Sequence, residues 1–349
     1  MNLIHGLRQP GVASALGAAL LFGAGTPLAK WLLGTMDPWL LAGLLYLGSG
    51  IGLTLYRYLS HAPAVHLPRQ ELPWFAGAVV MGGMVAPVLL MTGLTNMAAS
   101  GVSLLLNAES VFTALLAWFV FKENFDRRIA LGMLAIVAGA LVLSWPAETG
   151  VVPLWPMLAV LGACLAWGID NNLTRKVSLT DATWIASVKG LVSGTVNLVL
   201  AVWLGAALPS LPHLAGSMVV GLFAYGVSLT LFVVGLRHLG TARTGAYFSI
   251  APFFGAVLAI LMGEPVTLPL IGAGLLMGLG VWLHLTEHHE HRHHHDAMEH
   301  DHEHVHDAHH QHPHDYPVMP GTQHTHKHQH EPLSHEHAHF PDVHHRHDH

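Results

Sequence analysis

The chain has 349 residues, 52% hydrophobic and only 10% charged, whereas soluble domains are about one quarter charged. That balance excludes an ordinary soluble globular protein and points to a lipid-embedded one. The formal net charge of −6 is divided unevenly: residues before Glu287 carry 12 Lys and Arg against 9 Asp and Glu, those from Glu287 onward 3 against 12, so a body of +3 precedes a tail of −9.

About twenty apolar residues cross a bilayer core as a helix, and ten stretches qualify: 12–33, 38–56, 73–95, 100–121, 127–145, 153–173, 182–205, 214–236, 244–262 and 267–286. The expected fold class is therefore an all-α integral membrane protein of ten transmembrane helices, with the lipid bilayer as its first partner. The first apolar run is too long for a cleavable secretory signal and reads as the first helix. Placing the N-terminus in the cytoplasm puts Arg8, Arg57, Arg69, Lys122, Arg127, Arg128, Arg175, Lys176, Arg237 and Arg243 on the cytoplasmic side and leaves the opposite loops without Lys or Arg. This satisfies the positive-inside rule and predicts both termini in the cytoplasm of a bacterial-type inner membrane. The single cysteine, Cys164, lies in an apolar run and reads as a small packing residue.

The body repeats itself. In the first half LGAALLFGAGTPLAK contains Gly17, Phe22, Gly23 and Lys30, and in the second LGACLAWGIDNNLTR answers with Gly162, Trp167, Gly168 and Arg175. Asp37, Ser49 and Gly50 are answered by Asp181, Ser193 and Gly194; Gly93 pairs with Gly235 and, after one gap, Glu123 with Glu264. Residues 12–145 and 153–286 thus form two five-helix copies. Because five is odd, the second enters the membrane from the opposite side, the inverted-topology arrangement of many secondary transporters.

The Gly-rich first helix of each half and the stretch LLLNAESVFTALLAWFVFKE resemble the EamA family of the drug/metabolite transporter superfamily, over residues 12–286. Where that family commonly has a proline in the fourth helix, this chain has Ser110 in the first copy and Pro252 in the second. The resemblance implies a ten-helix carrier working by alternating access, commonly exporting small metabolites, amino acids or drugs.

Ionisable residues inside a membrane are costly and mark cavities or partners. Glu109 and Lys189 fall near the midplane of the fourth and seventh spans, and are expected to approach each other, as a structural ion pair or as a site for substrate or a coupling ion. Asn107, two residues before Glu109, points about 200° away round the helix and is expected to bond a neighbouring helix. Asp170, Asn171 and Asn172 end the sixth span, either as helix termination or as a polar vestibule. Lys30 reads as a snorkelling residue or a gate. Gly274 and Gly278 form a small-xxx-small spacing that leaves a homodimer open.

Residues 287–349 hold 25 of the 31 histidines. With almost no aliphatic residues this segment is expected to be disordered and to bind zinc, nickel, cobalt or copper through neutral imidazole. The candidate ligands are His293, His294, His295, His302, His304, His306, His324, His326, His328, His330, His335, His337 and His339. Three H-E-x-x-H matches beginning at His289, His302 and His335 follow from composition, since a zinc protease needs that motif on a rigid helix. No Walker motif, catalytic triad or cofactor fingerprint is present, so neither an enzyme nor a cofactor is expected, and nothing points to nucleic acid. The leading expectation is a metabolite, amino-acid or drug carrier, and the rival a nickel, cobalt or zinc exporter loaded by the tail.

Overall fold

The computed structural model describes residues 10–34, 36–120, 127–144, 154–177 and 180–285, and in the tail 290–295, 298–304, 324–330 and 333–338. Among the described residues the body is built of helices: α1 (Pro10–Leu33), α2 (Pro38–Leu59), α3 (Leu72–Ala78), a π-helical turn Val79–Val85, α4 (Ala86–Thr95), α5 (Ala99–Leu105) and α6 (Ala108–Phe119). After these come α7 (Arg127–Ser144), α8 (Trp155–Arg175), α9 (Ala182–Trp203), α10 (Leu211–Gly221), a second π turn Leu222–Val227, α11 (Ser228–Phe248), α12 (Ala251–Leu261) and α13 (Leu268–Leu285).

Six described stretches are long and apolar enough to cross a membrane: 11–33, 38–59, 72–95, 99–116, 182–203 and 211–236. The apolar parts of α7, α12 and α13 are shorter, and the last turns of α8 carry Asp170, Asn171, Asn172 and Arg175, which dilutes its hydropathy.

The repeat read from the sequence is a repeat of backbone. Both copies place a π turn in the third helical stretch, at 79–85 and 222–227, and both interrupt the fourth, at 106–107 and 249–250. Pro252 removes a backbone donor just after the second break. The first break occurs without proline: Asn107 stands at the head of α6, and the Ser110 hydroxyl donates to the Asn107 carbonyl at 2.7 Å. Matching aspartates cap matching helices, Asp37 accepting from the Trp39 amide at 2.8 Å and Asp181 from that of Trp184 at 2.9 Å.

Packing between the copies is reciprocal. On α2 and α9, a Cβ on Gly43 would strike Leu198, one on Gly194 would strike Leu47, and one on Gly50 would strike Leu191. As the number rises on one helix it falls on the other, so α2 and its counterpart α9 run antiparallel in close contact. A Cβ on Gly139 would likewise meet Ala273 and Met277 of α13, and one on Gly280 would meet Gly132 and Ile136 of α7. Exchanging the copies turns the Gly50–Leu191 contact into Gly194–Leu47 and the Gly139–Ala273 contact into Gly280–Gly132, a reciprocity of the kind a two-fold interface has.

The eighth and ninth expected membrane elements need one correction. Helical assignment runs unbroken from Ser228 to Phe248, where the sequence predicts a connection between 236 and 244. Nine residues of straight helix span about 13.5 Å, yet a Cβ on Gly235 would lie 2.9 Å from Thr244. The chain therefore doubles back within helical turns, and the corner predicted at this place exists without a loop.

In the tail, where disorder was expected, the backbone forms two antiparallel pairs, Glu290–His295 with Leu333–Ala338 and Met298–His304 with His324–His330. The every-second-residue histidine pattern matches the period of a strand, and ladder bonds use only the backbone.

Candidate functional site

A cavity of about 60 Å³ lies among α1, α2, α6, α8, α9 and α11, with residues of the second π turn in its wall. Its polar lining is Glu109, Asp170, Asn171, Lys189 and Ser228, and its rings are Phe22, Tyr46, Trp167, Tyr225, Phe232 and Phe248. Four of the five substrate or coupling-ion candidates, Glu109, Lys189, Asp170 and Asn171, are thus brought to one place.

Their pairing differs from the one expected. Lys189 forms its ion pair with Asp170, not with Glu109, and both partners are buried, 2% and 4% exposed. The other Asp170 carboxylate oxygen accepts the Thr174 hydroxyl at 2.9 Å. Glu109 accepts the Asn171 amide at 2.8 Å, and Asn171 also donates to Thr113 at 3.3 Å. The physical reason is reach: α8 and α9 both pack on the first π turn, where a Cβ on Gly82 would overlap the Asp170 carboxylate and the Ser193 hydroxyl donates to the Val79 carbonyl at 3.3 Å, whereas Glu109 opens the first turn of α6, just after the break, where Asn171 of α8 meets it first. Asn172, one residue on, is spent on helix contact, donating to Thr113 O at 3.1 Å and Gly168 O at 2.9 Å.

Asn107 is the candidate left outside. It is buried, donates to the Leu104 carbonyl at 3.1 Å and approaches the Met277 sulfur at 3.8 Å, the contact with another helix that its direction from Glu109 predicts.

The first π turn builds the cavity wall. The Gly82 carbonyl accepts both the Tyr46 hydroxyl at 2.6 Å and the Trp167 indole N–H at 3.1 Å. With these polar handles occupied, the two side chains offer the cavity mainly aromatic surface. Gly82 also lets Asp170 close in, since a Cβ there would overlap its carboxylate. Phe22 joins the rings, with centroids 5.7 Å from Trp167, 6.0 Å from Tyr225 and 5.3 Å from Phe248.

Charged groups hold the two ends of the bundle. At one, the Lys30 ammonium donates to the carbonyls of Leu94 at 2.6 Å and Thr95 at 3.1 Å, while the Glu264 carboxylate accepts the amides of Ala99 at 2.7 Å and Ser100 at 2.8 Å. One short connection, 94–100, is clamped from both sides. At the other, Arg57 donates to Asp181 at 2.6 Å, to the Thr183 hydroxyl at 2.7 Å and to the Pro63 carbonyl at 2.8 Å. Burial alone would raise the Asp181 carboxyl; hydrogen bonds from Thr183, Trp184 and Arg57 outweigh it and hold the group below its ordinary range.

Sequence reasoning missed the ring cluster, the Gly82 hub and the Lys30 and Glu264 clamp. A signal for the cavity was present in the repeat itself. At the offsets that align the copies, Lys189 stands opposite Leu45, Asp170 opposite Gly25, and Glu109 opposite Ala251. Charge appears in one copy alone where the two must pack around something polar. Of the tail ligands, His306 and His339 lie outside the described residues, and the others are described as backbone only. Among the described residues no three His, Cys, Asp or Glu side chains converge on a common point.

Helical stretches long and apolar enough to cross a membrane, packed around a charged, aromatic-lined cavity, define a polytopic membrane protein. The model of the EamA-like transporter family matches residues 9–145 and again 154–286, and the chain belongs to that family. A transporter of Methanothermobacter thermautotrophicus described only as uncharacterized is 28% identical over 295 residues, covering 78% of this chain and 85% of that protein. The uncharacterized transporter YyaM of Bacillus subtilis is 20% identical over 284 residues, covering 76% and 90%. A solved crystal structure at 15% identity shares the fold with a TM-score of 0.63, covering 78% of this chain and 95% of its own.

Proposed function

We propose that this protein is a secondary active transporter that exports small organic molecules by alternating access. In this reading ten membrane-spanning helices form two inverted repeats, both termini are cytoplasmic, and Glu109, Asp170, Asn171 and Lys189 contact the substrate or a coupling ion. The observation that carries it is the cavity itself: a buried ion pair and a further carboxylate between two repeats, with one end of the bundle clamped by Lys30 and Glu264. The antiparallel contact of α2 with α9 supports inversion, because inverted copies supply two related states, one open to each side.

The clamp gives the test. A cysteine placed at Ser228, in the cavity wall, is labelled by a membrane-impermeant maleimide from one side only in sealed vesicles. Lys30→Ala with Glu264→Gln loosens the clamp and admits label from the Lys30 side. Equal labelling from both sides before the clamp is altered, or no change after, overturns alternating access.

The tail is assigned a separate role in binding transition-metal ions. The cavity lining contains neither His nor Cys, which supports the tail rather than the cavity as the metal-binding part in this reading. A peptide of residues 287–349 is expected to take up several zinc or nickel ions at pH 7.5 and to release them below about pH 6, as protons compete for imidazole. Deleting 288–349 leaves efflux intact; loss of metal tolerance from that deletion, with organic efflux unchanged, would transfer the assignment to metal export.

A further inference from the structure

We propose that the substrate is a monovalent organic cation, an amine or quaternary ammonium with an aromatic or aliphatic body, held by Glu109. This rests on the cavity being the translocation site and adds the sign of the charge it takes.

Charge accounting comes first. Lys189 and Asp170 are committed to each other and cancel. Glu109 is in no ion pair among the described residues; its partner is the neutral amide of Asn171 at 2.8 Å. With Glu109 ionised, the cavity holds two carboxylates and one ammonium. A ligand of charge +1 balances them, a zwitterion leaves one carboxylate without a counter-charge, and an anion adds to the excess. In a low-dielectric interior an unbalanced charge is the most expensive outcome, so the cavity selects for a cation.

The walls make the second, independent point. Rings attract cations through their quadrupole within about 6 Å of the centroid, and Phe22, Trp167, Tyr225 and Phe248 form a connected cluster around the same space as Glu109. Tyr46 and Trp167 spend their donors on the Gly82 carbonyl. That removes two hydrogen-bond donors which would otherwise favour a carboxylate or phosphate. Among the other donors in the lining, Asn171, Lys189 and Ser228 are each engaged within the protein.

The test holds the body constant and varies the charge. Equilibrium binding of phenethylammonium, phenylalanine and 3-phenylpropionate is measured on the full-length protein in lipid nanodiscs at pH 7.5, with empty nanodiscs as the control for partitioning. Phenethylammonium is expected to bind at least tenfold tighter than phenylalanine, with 3-phenylpropionate weakest, and Glu109→Gln to erase the preference. The series on the unaltered protein stands whether or not that variant folds. Tighter binding of phenylalanine or 3-phenylpropionate overturns the cation assignment while leaving the cavity as a binding site. Saturable binding of none of the three, together with two-sided labelling at position 228, overturns both.

Discussion

Lys189→Met leaves Asp170 in place with its counter-charge gone. Both side chains are almost fully enclosed, 2% and 4% exposed, so the remaining carboxylate keeps the Thr174 hydroxyl at 2.9 Å and loses the ammonium. Breaking a buried pair by removing one partner costs roughly 3–5 kcal/mol, whereas replacing both with neutral groups of similar size is close to neutral. Asp170→Asn in the Lys189→Met background is therefore expected to recover most of the lost stability, giving a coupling energy of about 2–4 kcal/mol in a double-mutant cycle. Thermal unfolding of the detergent-solubilised protein, followed by size-exclusion chromatography after heating, ranks the four proteins. Glu109→Gln serves as the contrast: it removes a carboxylate bonded to an amide rather than to a cation and should change stability by less than either single change at the pair. A Lys189→Met protein as stable as the parent, or a double variant no better than the worse single one, would refute the pairing.

Gly82→Ala puts a methyl group where the Asp170 carboxylate lies, so it should weaken the Lys189 pair while leaving both charged residues in the sequence; most of its destabilisation should vanish when Asp170→Asn is added, and an additive result in the cycle contradicts the overlap. Asp181 is held below the ordinary carboxylate range, so its contribution is complete above the unfolded value of about 3.9 and is lost as pH falls through the folded one. The stability difference between the parent and Asp181→Asn is expected to stay flat from pH 7 to 5 and to shrink below about pH 4; a difference that grows on acidification has the wrong sign for this assignment.

The sequence alone determined what one-dimensional chemistry can carry. Apolar runs about twenty residues long located the helices, and the offset between LGAALLFGAGTPLAK and LGACLAWGIDNNLTR revealed the duplication. The cost of burying charge singled out Glu109, Asp170 and Lys189. Asn107, at the break before α6, lies near Met277 of another helix.

Partner choice was decided only in three dimensions. Lys189 takes Asp170 rather than Glu109 because α8 and α9 both pack against the first π turn, which brings those two side chains together, and that packing is not encoded in the spacing along either helix. The π turns escape sequence reading because one residue inserted into a helical turn leaves no compositional mark, yet the first of them frees the Gly82 carbonyl that ties Tyr46 and Trp167. Likewise Lys30 and Glu264 lie more than two hundred residues apart and act on one short connection, 94–100, which only the packing of the two copies against each other brings between them.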